Sequence, residues 1–126
     1  MGADDPGQGL RGRCALIVED EYFLADDLAR GFRKAGIGIV GPVPTLAKAL
    51  ALAESQRIDM AVLDIKLDDD MVYTVADALL GRGVPVVFVT GYEASAIPAR
   101  YADVPRCEKP VSVEHVIEAL GCALSA

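Results

Sequence analysis

Short apolar runs alternate along this sequence with longer segments whose apolar residues recur every three to four positions. The run Cys14-Ala15-Leu16-Ile17-Val18, bounded by charge, predicts a buried strand. Leu24, Leu28 and Phe32, with Ala25 and Ala29, lie at helical spacing and predict a helix from about Glu21 to Ala35, which Gly36 ends. Ile37 to Val40 reads as a second short strand, and Gly41-Pro42-Val43-Pro44 as a loop. Thr45 is placed to cap a second helix with Leu46, Leu50 and Ala53 turned inward. Met60 to Leu63 predicts the third strand, which delivers Asp64. A third helix carries Val72, Val75, Ala76, Leu79 and Leu80 as its buried stripe, closed by Gly81 and Gly83. Pro85 to Val89 is β-branched, as a buried parallel strand should be. Pro98 interrupts the stretch from Glu93 to Tyr101, so short turns are expected there rather than a long helix. A weaker fifth strand spans Val104 to Cys107, and Ser112 caps a last helix with Val113, Val116, Ile117, Leu120 and Leu124 on one face.

Strand and helix therefore alternate five times, the pattern of an α/β fold: a parallel sheet doubly wound, with helices on both faces. In such sheets ligands bind at the carboxyl ends of the strands. Those ends hold Glu19 and Asp20 after the first strand, Asp64 after the third, Thr90 after the fourth and Lys109 after the fifth. Each has a plainer reading. Asp64 could start a turn or cap a helix, and Glu19, Asp20 and Glu21 could favour the dipole of the helix they precede. Leu67-Asp68-Asp69-Asp70 reads as a solvated loop and helix start, or as a second metal cluster. Taken together, the strand ends specify a chemistry. Three carboxylates suit a hard divalent cation, which prefers oxygen ligands. Lys109 supplies a point charge and Thr90 a hydroxyl donor, and Asp64 is placed as a nucleophile that forms an acyl phosphate. Phosphoryl transfer needs mostly positioning and charge neutralisation, which this set provides.

Composition narrows the classes. A chain of 126 residues with 52% hydrophobic residues can bury one real core. Residues 1–12, with Asp4 and Asp5 and no apolar core, read as a loose tail ahead of a domain over 13–126, not as a signal peptide. No apolar run reaches the roughly 18 residues of a membrane helix, so no membrane is expected. The formal net charge of −7 argues against nucleic acid. Three cysteines without metal-ligand spacing fit a reduced, cytoplasmic compartment. The single histidine, His115, lies off the apolar face of its helix and reads as solvent-exposed.

With Glu19-Asp20, Asp64, Thr90 and Lys109-Pro110 in this order, the chain resembles a response-regulator receiver domain from about Cys14 to Leu124. Phe88-Val89-Thr90-Gly91-Tyr92 is similar to the "FAT GUY" motif of a subgroup of stand-alone receivers, with Val89 in place of the usual Ala. The resemblance implies a flavodoxin-like five-stranded (βα)5 sheet. It implies that Asp64 accepts a phosphoryl group from a phosphohistidine on a histidine kinase or phosphotransfer protein, and that an unknown downstream protein reads the change. It implies Mg²⁺ on Glu19, Asp20, Asp64 and the Lys66 backbone carbonyl, with the Lys66 and Gly91 amides on the phosphoryl oxygens. Lys66 and Tyr92 are similar to positions that tune dephosphorylation. Such proteins catalyse their own phosphoryl transfer and dephosphorylation without being turnover enzymes, and act as monomers or weak dimers. The sequence departs from the family three positions before Lys109, where Arg106 replaces the usual aromatic switch, and at Val111, where a Phe is common. Two alternatives stand beside this reading. One is a receiver-like module that binds a partner without phosphorylation. The other is a Mg²⁺-dependent phosphatase, which usually needs an acid where Lys66 stands.

Overall fold

A computed structural model describes residues 8–67, 70–91 and 97–125. Five parallel strands form one sheet: β1 (Cys14–Val18), β2 (Gly38–Val43), β3 (Met60–Asp64), β6 (Val86–Thr90) and β7 (Arg106–Glu108). Between β3 and β6, a small antiparallel pair, β4 (Lys66–Leu67) and β5 (Asp70–Met71), follows Asp64 directly. Four α-helices connect the strands: α1 (Tyr22–Lys34), α2 (Leu46–Ser55), α3 (Tyr73–Gly81) and α4 (Val113–Ser125). The spatial order β2-β1-β3-β6-β7 is the doubly wound, flavodoxin-like arrangement that the alternation of elements predicts. Among the described residues, no helix is long and apolar enough to cross a membrane.

The period of two along each strand sorts the core into two layers. Leu16, Ala61, Leu63, Val86 and Phe88 face α2 and α3, whereas Ala15, Ile17, Met60, Val62, Val87 and Val89 face α1 and α4. Helices cover both sides, so β3 and β6 are buried at every position and read as unbroken apolar runs. Burying Phe32 or Phe88 fully stabilises the fold by about 2–3 kcal/mol each. Thr45 caps α2 by accepting a hydrogen bond from the Lys48 N–H at 3.2 Å, and Ser112 caps α4 through the His115 N–H at 3.1 Å. Gly36 follows α1 at φ +80°, a left-handed turn that a side chain would strain. His115 is exposed, and all three cysteines are free thiols.

Several local expectations are corrected. Strand β2 begins at Gly38 and runs on through Gly41-Pro42-Val43, which was expected to be a loop. An edge strand tolerates Pro42, and the pairing with β1 shifts register between Leu16 and Val18, leaving room for Gly41 at φ +94°. Asp70 pairs in β5 rather than starting a helix; α3 begins after Val72, whose N–H donates to the Ile65 carbonyl at 2.8 Å. Leu80 is exposed rather than part of the α3 stripe. In α2 the deepest positions are Ala49 and Ala53, with Leu46 and Leu50 only partly buried, because small residues let the helix lie close to the sheet. The fifth strand starts at Arg106, later than expected, and a 3-10 turn at Ala99–Tyr101 precedes it. Tyr101 is buried there, stacked on Tyr73 at 5.0 Å and edge-on to Phe88 at 5.4 Å, with its hydroxyl donating to Asp77. Asp68, Asp69 and the first part of the Glu93–Tyr101 stretch lie outside the described residues, as does most of the amino-terminal segment.

Helix α1 meets α4 at Gly31, where a Cβ would overlap the Val113 Cγ1 methyl. Gly31→Ala gains helix propensity of about 1 kcal/mol but forces the helices apart, so a net loss of about 1–2 kcal/mol is expected. Denaturant melts of Gly31→Ala and of Gly31→Ala with Val113→Ala measure it. A double variant no more stable than the single one would show that the contact is not the cause.

Candidate functional site

The alternation that sorts the core also assembles the site. Ile17, Val62 and Cys107 face α1 and α4, and two residues further on, at the ends of β1, β3 and β7, stand Glu19, Asp64 and Lys109. The Lys109 N–H donates to the Thr90 carbonyl at 2.8 Å, which ties the end of β7 to β6. The Lys109 ammonium then reaches back across the sheet edge. It lies 3.1 Å from Asp64 Oδ2 and 3.4 Å from Glu19 Oε2, and it also pairs with Glu21. Glu19 and Asp64 are only 3% and 5% exposed, whereas Asp20 is open to solvent. One oxygen from each of Glu19, Asp20 and Asp64 falls within 4.8 Å of the others. Glu19 Oε2 also accepts the Glu21 N–H at 3.0 Å, which holds the carboxylate against the start of α1. Its other oxygen, Oε1, is buried without a hydrogen-bond partner.

Burial dominates the electrostatics. It pushes the Glu19 carboxyl up to about 8, and the Asp64 charge pushes the same way, against the pull of the Glu21 N–H and Lys109. Burial likewise raises Asp64 above the ordinary carboxylate range, although Glu19 and Lys109 partly oppose it. For Lys109, burial alone would lower the ammonium, but Glu21, Asp64 and Glu19 together outweigh it and raise it. One ammonium thus pairs with three acidic residues, Glu19, Glu21 and Asp64, with Asp20 close by, and an excess of acidic groups remains. A divalent cation fits this place on two counts: the donors are all carboxylate oxygens, and the buried Glu19 Oε1 lacks a partner.

Of the residues singled out from the sequence, the fold brings Glu19, Asp20, Asp64 and Lys109 into one cluster. Thr90 ends β6 on the same sheet edge, 3% exposed, with its hydroxyl donating to the Gly91 carbonyl at 3.1 Å. Lys66, which opens β4, and Gly91, which follows β6, are both exposed. Arg106 is exposed on β7, in register with Phe88. Tyr92 lies outside the described residues. Glu21 stands at the N-cap of α1, and its carboxylate also pairs with Lys109. The signal for this was the run of three acids opposite a lone strand-end lysine. No periodicity argument placed Tyr101 in the core, because its neighbours in sequence form no regular element long enough to show a period.

A family model of the response regulator receiver domain matches residues 15–120. The solution structure of SdrG from Sphingomonas melonis Fr1 superposes with a TM-score of 0.79 at 37% identity, covering 89% of this chain and 96% of that one. Its BeF3-activated conformation superposes at 0.73 and 38% identity, covering 90% and 96%. The transcriptional regulatory protein PdtaR of Mycobacterium tuberculosis is 30% identical over 117 residues, 90% of this chain and 57% of PdtaR. The phyllosphere-induced regulator PhyR of Methylorubrum extorquens is 35% identical over 95 residues, 71% of this chain and 36% of PhyR. The chain therefore spans little more than half the length of PdtaR and about a third of PhyR.

The raised Glu19 gives a signed pH dependence. Between its ordinary value of 4.5 and about 8, the folded state holds a proton that the unfolded state has released, so metal-free stability falls as pH rises through this window. Cation binding needs the same carboxylate ionised, so affinity for Mg²⁺ should climb over that range, with protons released. Calorimetry with Mg²⁺ in buffers of different ionisation enthalpy reads both. An affinity that stays flat across the window, or no proton release, would contradict the assignment.

Proposed function

The chain belongs to the response regulator receiver family, and from that premise we propose that Asp64 accepts a phosphoryl group from a phosphohistidine on a histidine kinase or phosphotransfer protein. The observation that carries this reading is the Lys109 ammonium 3.1 Å from a buried Asp64 carboxylate whose neighbours are two further acids. In the proposed step an Asp64 oxygen attacks phosphorus, the phosphorus–nitrogen bond breaks, and the imidazole leaves and picks up a proton. Glu19, Asp20, Asp64 and the Lys66 carbonyl would hold Mg²⁺, which supplies charge neutralisation for the phosphoryl oxygens. Lys109 leaves its ion pairs to meet one phosphoryl oxygen, the Lys66 and Gly91 amides meet others, and the Thr90 hydroxyl turns from the Gly91 carbonyl to donate to the group. The added charge of about −1.5 to −2 then reorganises the segments after Thr90 and before Pro110. A downstream protein reads that change. Tyr92 and Lys66 would tune the lifetime of the phosphorylated state. The BeF3-activated form of SdrG supports the chemistry by analogy.

Arg106 supports a second reading, a module that binds its partner without phosphorylation. An exposed Arg in place of the aromatic switch removes the usual coupling to Thr90, and Tyr101 is already buried elsewhere. The two readings separate cleanly. Incubation with acetyl phosphate and Mg²⁺ should add one phosphoryl group by intact mass, and Asp64→Asn should abolish the addition. Lys109→Ala should still react slowly while failing to change the chemical shifts of the Thr90 segment. Full addition to Asp64→Asn would overturn the acceptor assignment, and no addition to the parent protein would favour the second reading.

A further inference from the structure

Helix α1 divides its charge between its ends. Asp20, Glu21, Asp26 and Asp27 cluster at the start, and Arg30, Arg33 and Lys34 at the finish. Thirteen helical residues cover about 20 Å at 1.5 Å per residue, so the last turn of α1 stands well away from its first. There a groove opens between α1 and the first turns of α4. Its floor is apolar, made by Ala35, Val113 and Ile117 with Gly31 between them. Its walls are cationic: Arg11, Arg30, Arg33 and Lys34, a third of the twelve Lys and Arg in a chain of net charge −7.

Part of this has a purely structural account. Arg33 and Lys34 complement the α1 carboxyl-terminal dipole, and Arg30 pairs with Asp26 and Asp27 at 3.0 Å. Arg11 has no such account. It comes from a different element, just after a 3-10 turn that the buried Leu10 anchors in the core. Its guanidinium lies across Gly36, where a Cβ would come within 2.7 Å of Nη1. Among the described residues, Arg11, Arg33 and Lys34 form no ion pair. A small inorganic anion would use the walls and leave the floor idle, and the chain's overall charge repels nucleic acid. An acidic segment with interspersed apolar side chains uses both surfaces.

We propose that this groove docks an acidic, partly apolar segment of a partner protein, with Arg11 and Arg33 gripping its carboxylates and Val113 and Ile117 receiving its apolar side chains. Glu114 is the one carboxylate in the lining. Its lining contains none of Glu19, Asp20, Asp64 and Lys109.

A fluorescein-labelled peptide of alternating Glu and Leu is the probe, read by anisotropy, beside peptides of Gln and Leu and of Glu and Ser. The Glu-Leu peptide should bind saturably and more tightly than either control. Arg11→Glu with Arg33→Glu should weaken it about tenfold or more, and the corresponding Gln pair by less. Both positions are exposed, and unchanged circular dichroism and melting confirm the fold. Lys48→Glu, on exposed α2, and Asp64→Asn should leave binding as it is, so failure of the phosphoryl reading does not touch this one. No saturable binding, equal binding of the Glu-Ser peptide, or indifference to the Arg11 and Arg33 reversal would each overturn the proposal.

Discussion

The interaction on which the rest depends is the ammonium of Lys109 set among buried carboxylates at one edge of the sheet. Asp64 and Glu19 are charges taken out of water, and their raised protonation ranges measure how unwelcome that is. Lys109 offsets part of the cost, at 3.1 Å from one and 3.4 Å from the other. The balance is deliberately incomplete in charge: an excess of carboxylate remains, with one buried oxygen unpaired. That excess of negative charge is what a bound cation would neutralise.

The frame is stiff where that matters. Strands β1, β3 and β6 carry apolar side chains on both faces, packed by α2 and α3 on one side and α1 and α4 on the other. The carboxylates stand where those strands run out, so backbone hydrogen bonds fix their roots while their side chains face the open edge. The same helix that begins beside the acids ends in a cationic groove shared with the first turns of α4.

Arg106 stands exposed on β7, in register with Phe88. The aromatic contact with Phe88 comes from Tyr101, held by Tyr73 and Asp77 of α3. Tyr101 thereby pins the 3-10 turn at Ala99–Tyr101 to α3, and α3 follows the β4–β5 pair that comes after Asp64.

The sequence by itself determined the order of elements, the caps at Thr45 and Ser112, the stop at Gly36 and the three carboxylates and one lysine that meet at the sheet edge. These follow from local rules: side-chain period, capping chemistry and the tendency of parallel strands to end in ligand-binding residues. Tertiary structure alone decided what depended on distant neighbours. Strand β2 runs through Pro42 because it lies at the sheet edge, where a missing N–H costs little. Glu21 pairs with Lys109 because the end of β7 brings a charge 88 residues away in sequence beside the start of α1. Tyr101 was buried because two rings from other elements met it. The Arg11 groove exists because a turn before β1 and the ends of α1 and α4 pack together, a coincidence in space that no window along the chain contains.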